Sequence, residues 1–268
     1  MDPNDTLTPT EETTESSELS HSDKMIGVFT EPTKMFQQTA KFPTRNKDWV
    51  IPVLILFLVA ALIRIIAMTN KEVYFEAKKQ GVERIEKMVE NGTLTKEQGD
   101  EAINRIDQQM EFMQGPIGWV ITIATTLIFG FIVIFIIVGF YYLLIRFLLK
   151  GEGTFASALV ANGLTMYIST LQLIIAGILT MLLGKMMTDT SLASFMSIDK
   201  NTITGWLLAK VDPISIWAYI VLSIGFAKMF KSETTGKYYV LVFGSWLIVM
   251  FILFQVAQAV PFLQNFIQ

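Results

Sequence analysis

Five long runs of apolar residues decide what this chain can fold into. Each run could cross the ~30 Å hydrocarbon core of a bilayer as a helix, which takes about 20 residues at 1.5 Å each. A lone strand could not satisfy its backbone groups in lipid, so the runs must be helical. The predicted spans are Trp49 to Met68, Ile117 to Leu149, Phe155 to Leu183, Pro213 to Phe230 and Tyr238 to Phe262. The sequence therefore predicts an all-α polytopic transmembrane bundle of five helices within residues 49–262.

The composition agrees with a membrane protein. Hydrophobic residues make up 52% of the chain and charged residues 17%, whereas soluble domains carry about 25% charged residues. The net charge of −3 argues against a nucleic-acid partner, which would need a basic patch. We therefore expect the lipid bilayer to be the principal surroundings of the chain.

The first 48 residues precede the first span and divide into two parts. Asp2 to Asp23 contains seven acidic residues and no apolar signal-peptide core, which predicts a disordered, acidic, cytoplasmic tail over residues 1–24. Residues 25–48 mix apolar and polar residues, and Pro32 suits the first turn of a helix. This pattern predicts an amphipathic segment lying on the inner leaflet; a plain linker is the alternative.

Residues 71–114 separate the first two spans and carry apolar residues at helical spacing. Asn91-Gly92 is typical of a helix end, and Thr95 to Gln98 matches the capping-box pattern that starts a helix. The sequence thus predicts an extramembrane helical hairpin with arms of ~25–30 Å. It is either a structural extension of the two spans or an arm for docking or oligomerisation.

The distribution of Lys and Arg predicts the orientation. Five basic residues lie between residues 24 and 47, Arg146 and Lys150 flank the second connection, and Lys228, Lys231 and Lys237 flank the fourth. Cytoplasmic segments near spans are rich in Lys and Arg. We therefore expect a multi-pass protein of the cell membrane with a cytoplasmic N-terminus, an exoplasmic C-terminus and an exoplasmic hairpin.

The chain offers few groups for catalysis. Its single histidine, His21, lies in the predicted tail, and it has no cysteine. A Ser–His pair, an H-E-x-x-H zinc site and a phosphate-binding glycine loop are all missing from the sequence. The predicted spans also lack a buried pair of carboxylates. The sequence therefore predicts no enzymatic activity, no cofactor and no metal site.

Six polar residues in or beside the spans are candidate functional positions. Arg64 and Asp212 are predicted at similar depth, so they could form an ion pair; alternatively Arg64 extends to the outer headgroups. The other four are amides, which in lipid usually hydrogen-bond to another helix but could also line a path. They are Asn162, Gln172, Gln255 and Gln258.

Two short motifs resemble a known family. Pro32-x-x-x-Phe36 precedes the first span, and the fourth span opens with Asp212-Pro213-x-x-x-Trp217 and continues to Gly225. Over roughly residues 25–262 the chain resembles the Yip family, membrane proteins named for interaction with Ypt/Rab GTPases. The resemblance implies five spans, a cytoplasmic N-terminus and a short exoplasmic C-terminus. The hairpin exceeds the first loop of the eukaryotic pattern, and the chain looks like a bacterial-type member, for which Rab partners are absent.

Two functions follow as hypotheses. The first is a non-enzymatic membrane protein that organises or binds other membrane proteins, lipids or further copies of itself. The alternative is a subunit of a small-solute or lipid transporter or channel. The alternative requires a polar cavity at membrane depth, lined by Asn162, Gln172 or Gln255.

Overall fold

The computed structural model describes residues 17–259, which contain eleven α-helices and no strand. The predicted all-α polytopic bundle is confirmed. Residues 1–16 of the predicted tail and residues 260–262 of the predicted fifth span lie outside the described part. The helices are α1 His21–Thr30, α2 Pro32–Thr39, α3 Lys47–Thr69, α4 Lys71–Glu90, α5 Lys96–Gln114, α6 Pro116–Leu148, α7 Phe155–Leu183, α8 Leu192–Met196, α9 Ile203–Ala209, α10 Pro213–Met229 and α11 Gly236–Ala259.

Four of these helices are long and apolar enough to cross a membrane by themselves, namely α3, α6, α7 and α11. The predicted fourth span differs from the other four, because α10 has only 17 residues. It qualifies together with the preceding α9, and the two helices are bent by 59° at the break between them. The described chain therefore has four candidate spans, or five if this bent pair counts as one.

Helix α7 packs along α3 at the centre of the bundle. A Cβ on Gly163 would lie 2.5 Å from Trp49 Cα, and a Cβ on Gly177 would lie 2.9 Å from Ile63 Cδ1. Both glycines therefore allow the close approach that small residues give to helices in lipid. Because the two contacts are equally spaced along both helices, α3 and α7 run parallel.

The predicted helical hairpin is formed by α4 and α5. The capping box is present: Thr95 Oγ1 accepts from Gln98 N at 3.2 Å, and Gln98 Oε1 accepts from Thr95 N at 2.9 Å. Gly99 packs against Val89 so closely that a Cβ there would lie 2.4 Å from Val89 Cγ2. Single residues, Asn70 and Gly115, separate the arms from α3 and α6.

The N-terminal segment differs from the prediction. A helix begins at His21 with a capping box from Ser20, so the predicted disorder is wrong for residues 21–24. The amphipathic character of residues 25–48 is present, but Val28 and Phe36 are fully buried within the protein core. The buried apolar side chains of α1 and α2 therefore pack on the bundle, where α7 and α10 contact these two helices.

Candidate functional site

A buried carboxylate starts α10 and gathers polar groups from three parts of the chain. Asp212 Oδ1 accepts from Ile214 N at 3.1 Å and Ser215 N at 3.2 Å. Thr190 donates to the same carboxylate twice, from Oγ1 at 2.8 Å and from the backbone N at 3.1 Å. Gln172 Nε2 donates to Oδ2 at 2.7 Å. Both carboxylate oxygens are therefore occupied by donors of the protein itself.

The cluster around Asp212 holds the start of α10 against α7. Gln172 lies on α7 and also contacts Ser215 Oγ of α10 at 2.9 Å. Thr190 belongs to the connection after α7, so the connection folds back to the start of α10. A helix N-terminus favours a negative charge, which suits Asp212 as the N-cap. These hydrogen bonds stabilise the break before α10, and no cationic side chain among the described residues forms an ion pair with Asp212.

The structure does not pair Arg64 with Asp212. Arg64 is exposed and has no ion pair with any residue in the range 17–259. The prediction assumed similar depth, but Ile63 lies beside Gly177 of α7, whereas Asp212 bonds to Gln172. Five residues along a helix correspond to ~7.5 Å and a rotation of ~140°. The two charges therefore lie at different heights and on different sides of α7.

The other three amides lie at separate places. Asn162 is buried in α7, and its Oδ1 accepts no hydrogen bond from the described residues. Gln255 is exposed on α11. Gln258 Nε2, also exposed, donates to the backbone oxygen of Asn201 at 2.6 Å. The four predicted amides thus do not assemble into one polar group.

A second buried centre, which the sequence did not reveal, joins three helices. Lys24 Nζ of α1 lies 2.5 Å from Asp48 Oδ2 of α3, with the two side chains 2% and 1% exposed. His21 Nδ1 lies 3.1 Å from Asp48 Oδ1, and His21 Nε2 lies 2.7 Å from the Tyr167 hydroxyl of α7. These partners are far apart in sequence, and the one local signal was Ser20-x-x-Asp23 as a helix start. The centre fixes α1 to the bundle.

The motif positions of α2 and α10 come together in the structure. A Cβ on Gly225 would lie 2.9 Å from Cζ of Phe36, so the glycine forms a notch for the ring. The rings of Phe29 and Trp217 lie 5.8 Å apart between centroids. The remaining motif positions begin helices: Pro32 in α2, and Asp212 with Pro213 in α10. Together they hold α1 and α2 against α10.

The connection between α7 and α9 has its own polar clamp. Asp189 Oδ2 lies 2.5 Å from Lys200 Nζ, and Asp189 Oδ1 accepts from Ser191 and Ser194. Burial opposes ionisation of Asp189, but the bonds from Lys200, Ser191 and Ser194 outweigh it and lower the pKa to about 2. The clamp shapes the segment that delivers Thr190 to Asp212.

Within residues 17–259, no group of three or more His, Cys, Asp or Glu side chains could hold a metal ion.

A family model for the Yip1 domain matches residues 26–256. No curated protein and no solved structure matches the chain significantly. The matched range contains both motifs, the hairpin and nearly all of the described helices. The chain therefore belongs to the Yip1-domain family and is an integral membrane protein.

Proposed function

We propose that this protein is a non-enzymatic organiser in the cell membrane that binds other membrane proteins or further copies of itself. The N-terminus is cytoplasmic in this proposal, and the binding platform is the helix pair α1–α2. One observation carries it: both family motifs serve to fix this pair, through Phe36 in the notch of Gly225 and Phe29 against Trp217. A segment held this firmly presents a preformed surface, which lowers the entropic cost of binding.

The free side of the platform has the composition of an interface. Met25 and Ile26 are exposed apolar side chains on α1. Glu31 and Lys34, five and eight residues after Ile26, are also exposed and form an ion pair at 2.9 Å. An apolar centre with a polar rim is typical of protein interfaces. The platform would therefore accept a partner through Ile26 and orient it through the charged residues.

Site-specific photo-cross-linking in native membranes tests this proposal. A photoreactive residue at Ile26 should yield discrete protein adducts, and Met25→Glu in the same chain should reduce them. Glu233, exposed in the connection between α10 and α11, is the control position and should yield none. Adducts with a differently tagged second copy would identify self-association. Identical adduct patterns at both positions, or none at Ile26, would overturn the platform.

One observation favours transport as a second candidate. The bent pair α9–α10 begins its second part at a buried carboxylate, and many transporters bind substrates at such discontinuous helices. However, donors of the protein already occupy both oxygens of Asp212. Liposomes containing the purified protein and loaded with K⁺ and a small anionic dye provide the test. Release that is lost in Asp212→Asn would favour transport over association.

A further inference from the structure

The base of the hairpin lies at a fixed height above the spans. Helix α3 passes into α4 through Asn70 alone, and α5 passes into α6 through Gly115 alone. Gln114 Nε2 also donates to Met68 O at 3.0 Å, which joins the two transitions. Because no flexible linker separates hairpin from spans, the first turns of α4 and the last turns of α5 must stay next to the bilayer surface.

The exposed apolar side chains of the hairpin are confined to this base. Of the large apolar residues in α4 and α5, only Phe75 and Phe112 are exposed, by 64% and 50%. Phe75 is six residues beyond Thr69, and Phe112 is four residues before Pro116. In a hairpin surrounded by water, or one that binds a partner at its tip, exposed aromatic rings would not be expected only at the base.

The backbone of Phe112 lies within the thickness of the headgroup layer, and that of Phe75 lies close to its outer edge. At 1.5 Å per residue, Phe75 lies ~9 Å and Phe112 ~6 Å along the helices from the adjoining spans. The headgroup layer is about 5–8 Å thick on each side, which is half the difference between the whole bilayer and its hydrocarbon core. Side chains in a helix lean towards its N-terminus, and the N-terminus of α4 is its membrane end. The ring of Phe75, which starts farther from the span, therefore leans towards the bilayer, whereas the ring of Phe112, which starts nearer, leans away from it, so the two rings come to similar heights.

The surroundings of the two rings fit lipid. A shallow hollow runs from Gln108, at its end farther from the span, past Phe112 and Pro116 to Ile117, which is exposed on α6. On α4, Lys71 and Lys79 lie four residues before and after Phe75 and are exposed, so all three share one face. Lysines near a membrane surface are attracted to its phosphates.

We infer that the base of the hairpin is a membrane anchor: Phe75 and Phe112 insert into the headgroup layer of the adjoining leaflet, and Lys71 and Lys79 lie beside lipid phosphates. The partner is a phospholipid surface, not a second protein, because the apolar surface is continuous with that of the spans. The anchor is independent of the α1–α2 platform and of which side of the membrane the hairpin occupies.

The absence of cysteine from the chain permits a direct test in phospholipid vesicles. Single variants Phe75→Cys and Phe112→Cys carry a nitroxide, and collision rates are measured with oxygen, which enters the membrane, and with a water-soluble nickel chelate. Gln108→Cys is the matched control, exposed one turn farther from the membrane than Phe112. Thr93→Cys reports on the hairpin tip. Gel filtration and helix content confirm that each variant remains folded.

We expect the oxygen-to-nickel ratio to shift from water-like at positions 93 and 108 to membrane-like at positions 75 and 112. Nickel access at 75 and 112 equal to that at 93 would overturn the anchor, since the rings would then face water. Protection from both reagents at 75 and 112 would also overturn it, because the rings would then be covered by protein. Replacing zwitterionic by anionic lipid should strengthen the shift at 75 and leave 93 unchanged.

Discussion

Lys24 Nζ lies 2.5 Å from Asp48 Oδ2, with both side chains almost completely buried. The pair connects the first described helix to the start of the first span. Removing one partner from a buried ion pair leaves an uncompensated charge, which costs more than the pair itself contributes. The energetics of α1 docking therefore depend on both residues together.

Lys24→Met should destabilise the protein by ~3–5 kcal/mol, because Asp48 would remain buried with His21 as its partner but without the ammonium group. The measurement is the thermal unfolding midpoint in detergent. Lys34→Met is the control, since the pair of Lys34 with Glu31 is exposed and surface pairs contribute ~0–1 kcal/mol. The double change Lys24→Met with Asp48→Leu should recover part of the loss. Equal midpoints for the two single variants would contradict this account.

Gly225→Leu should displace Phe36 and loosen α1–α2, because the notch has no room for a side chain. Overpacking of a core costs ~1–3 kcal/mol. Trypsin should then cut faster at Lys41 and Arg45, which lie between α2 and α3. Gly244→Leu on α11 should leave proteolysis unchanged, since no atom lies within 4 Å of its Cβ position. Unchanged cleavage in Gly225→Leu would show that the notch does not hold α2.

Gln172→Leu should destabilise the break before α10, because Asp212 would lose a donor at 2.7 Å. Hydrogen bonds to charged groups contribute ~1.5–3 kcal/mol. Thermal unfolding in detergent measures the loss. Gln255→Leu is the matched control on α11, where the amide is exposed, and should change stability by at most ~0.5 kcal/mol. If both variants behaved alike, the Asp212 cluster would contribute nothing.

Acid should release the clamp at Asp189. Its pKa is lowered from 3.8 to about 2 in the folded protein, so folding favours the ionised form. The resulting stability is complete above the unfolded pKa and is lost as pH falls through the folded one. The loss should therefore fall between about pH 4 and pH 2. Asp189→Asn should be less stable at pH 5 and have a shallower decline in that window; parallel curves would contradict the assignment.

Much of the bundle was predictable because lipid imposes a simple length rule. Phe155 and Leu183 were predicted as the ends of a span and are the ends of α7. The hairpin could be predicted equally well, because the local capping pattern at Thr95 indicates where its second helix begins. Hydropathy, however, measures the polarity of a segment and not the direction of its helix axis. It could not show that α10 is preceded by α9 at a bend of 59°.

The candidate site was harder to predict because its contacts are long-range. His21 and Lys24 sit in a polar stretch, and a helix of ten residues is marginal without tertiary contacts. The burial of α1 depends on Asp48 and Tyr167, which no local pattern connects to it. The predicted pairing of Arg64 with Asp212 failed for a similar reason. The depth of each charge was inferred from the end of its own span, and the two span ends do not lie at the same height.

The contact of Phe36 with Gly225 also has a consequence for biosynthesis. Gly225 is 189 positions after Phe36 in the chain, so α2 leaves the ribosome long before its binding notch exists. Chains are made at roughly 5–20 residues per second, which leaves α1–α2 undocked for about 10–40 s. Docking of this pair must therefore be among the last steps of assembly. A chain whose synthesis stops before α10 would expose the apolar side of α1–α2. Quality-control factors that bind exposed apolar surface would therefore distinguish it from the complete protein.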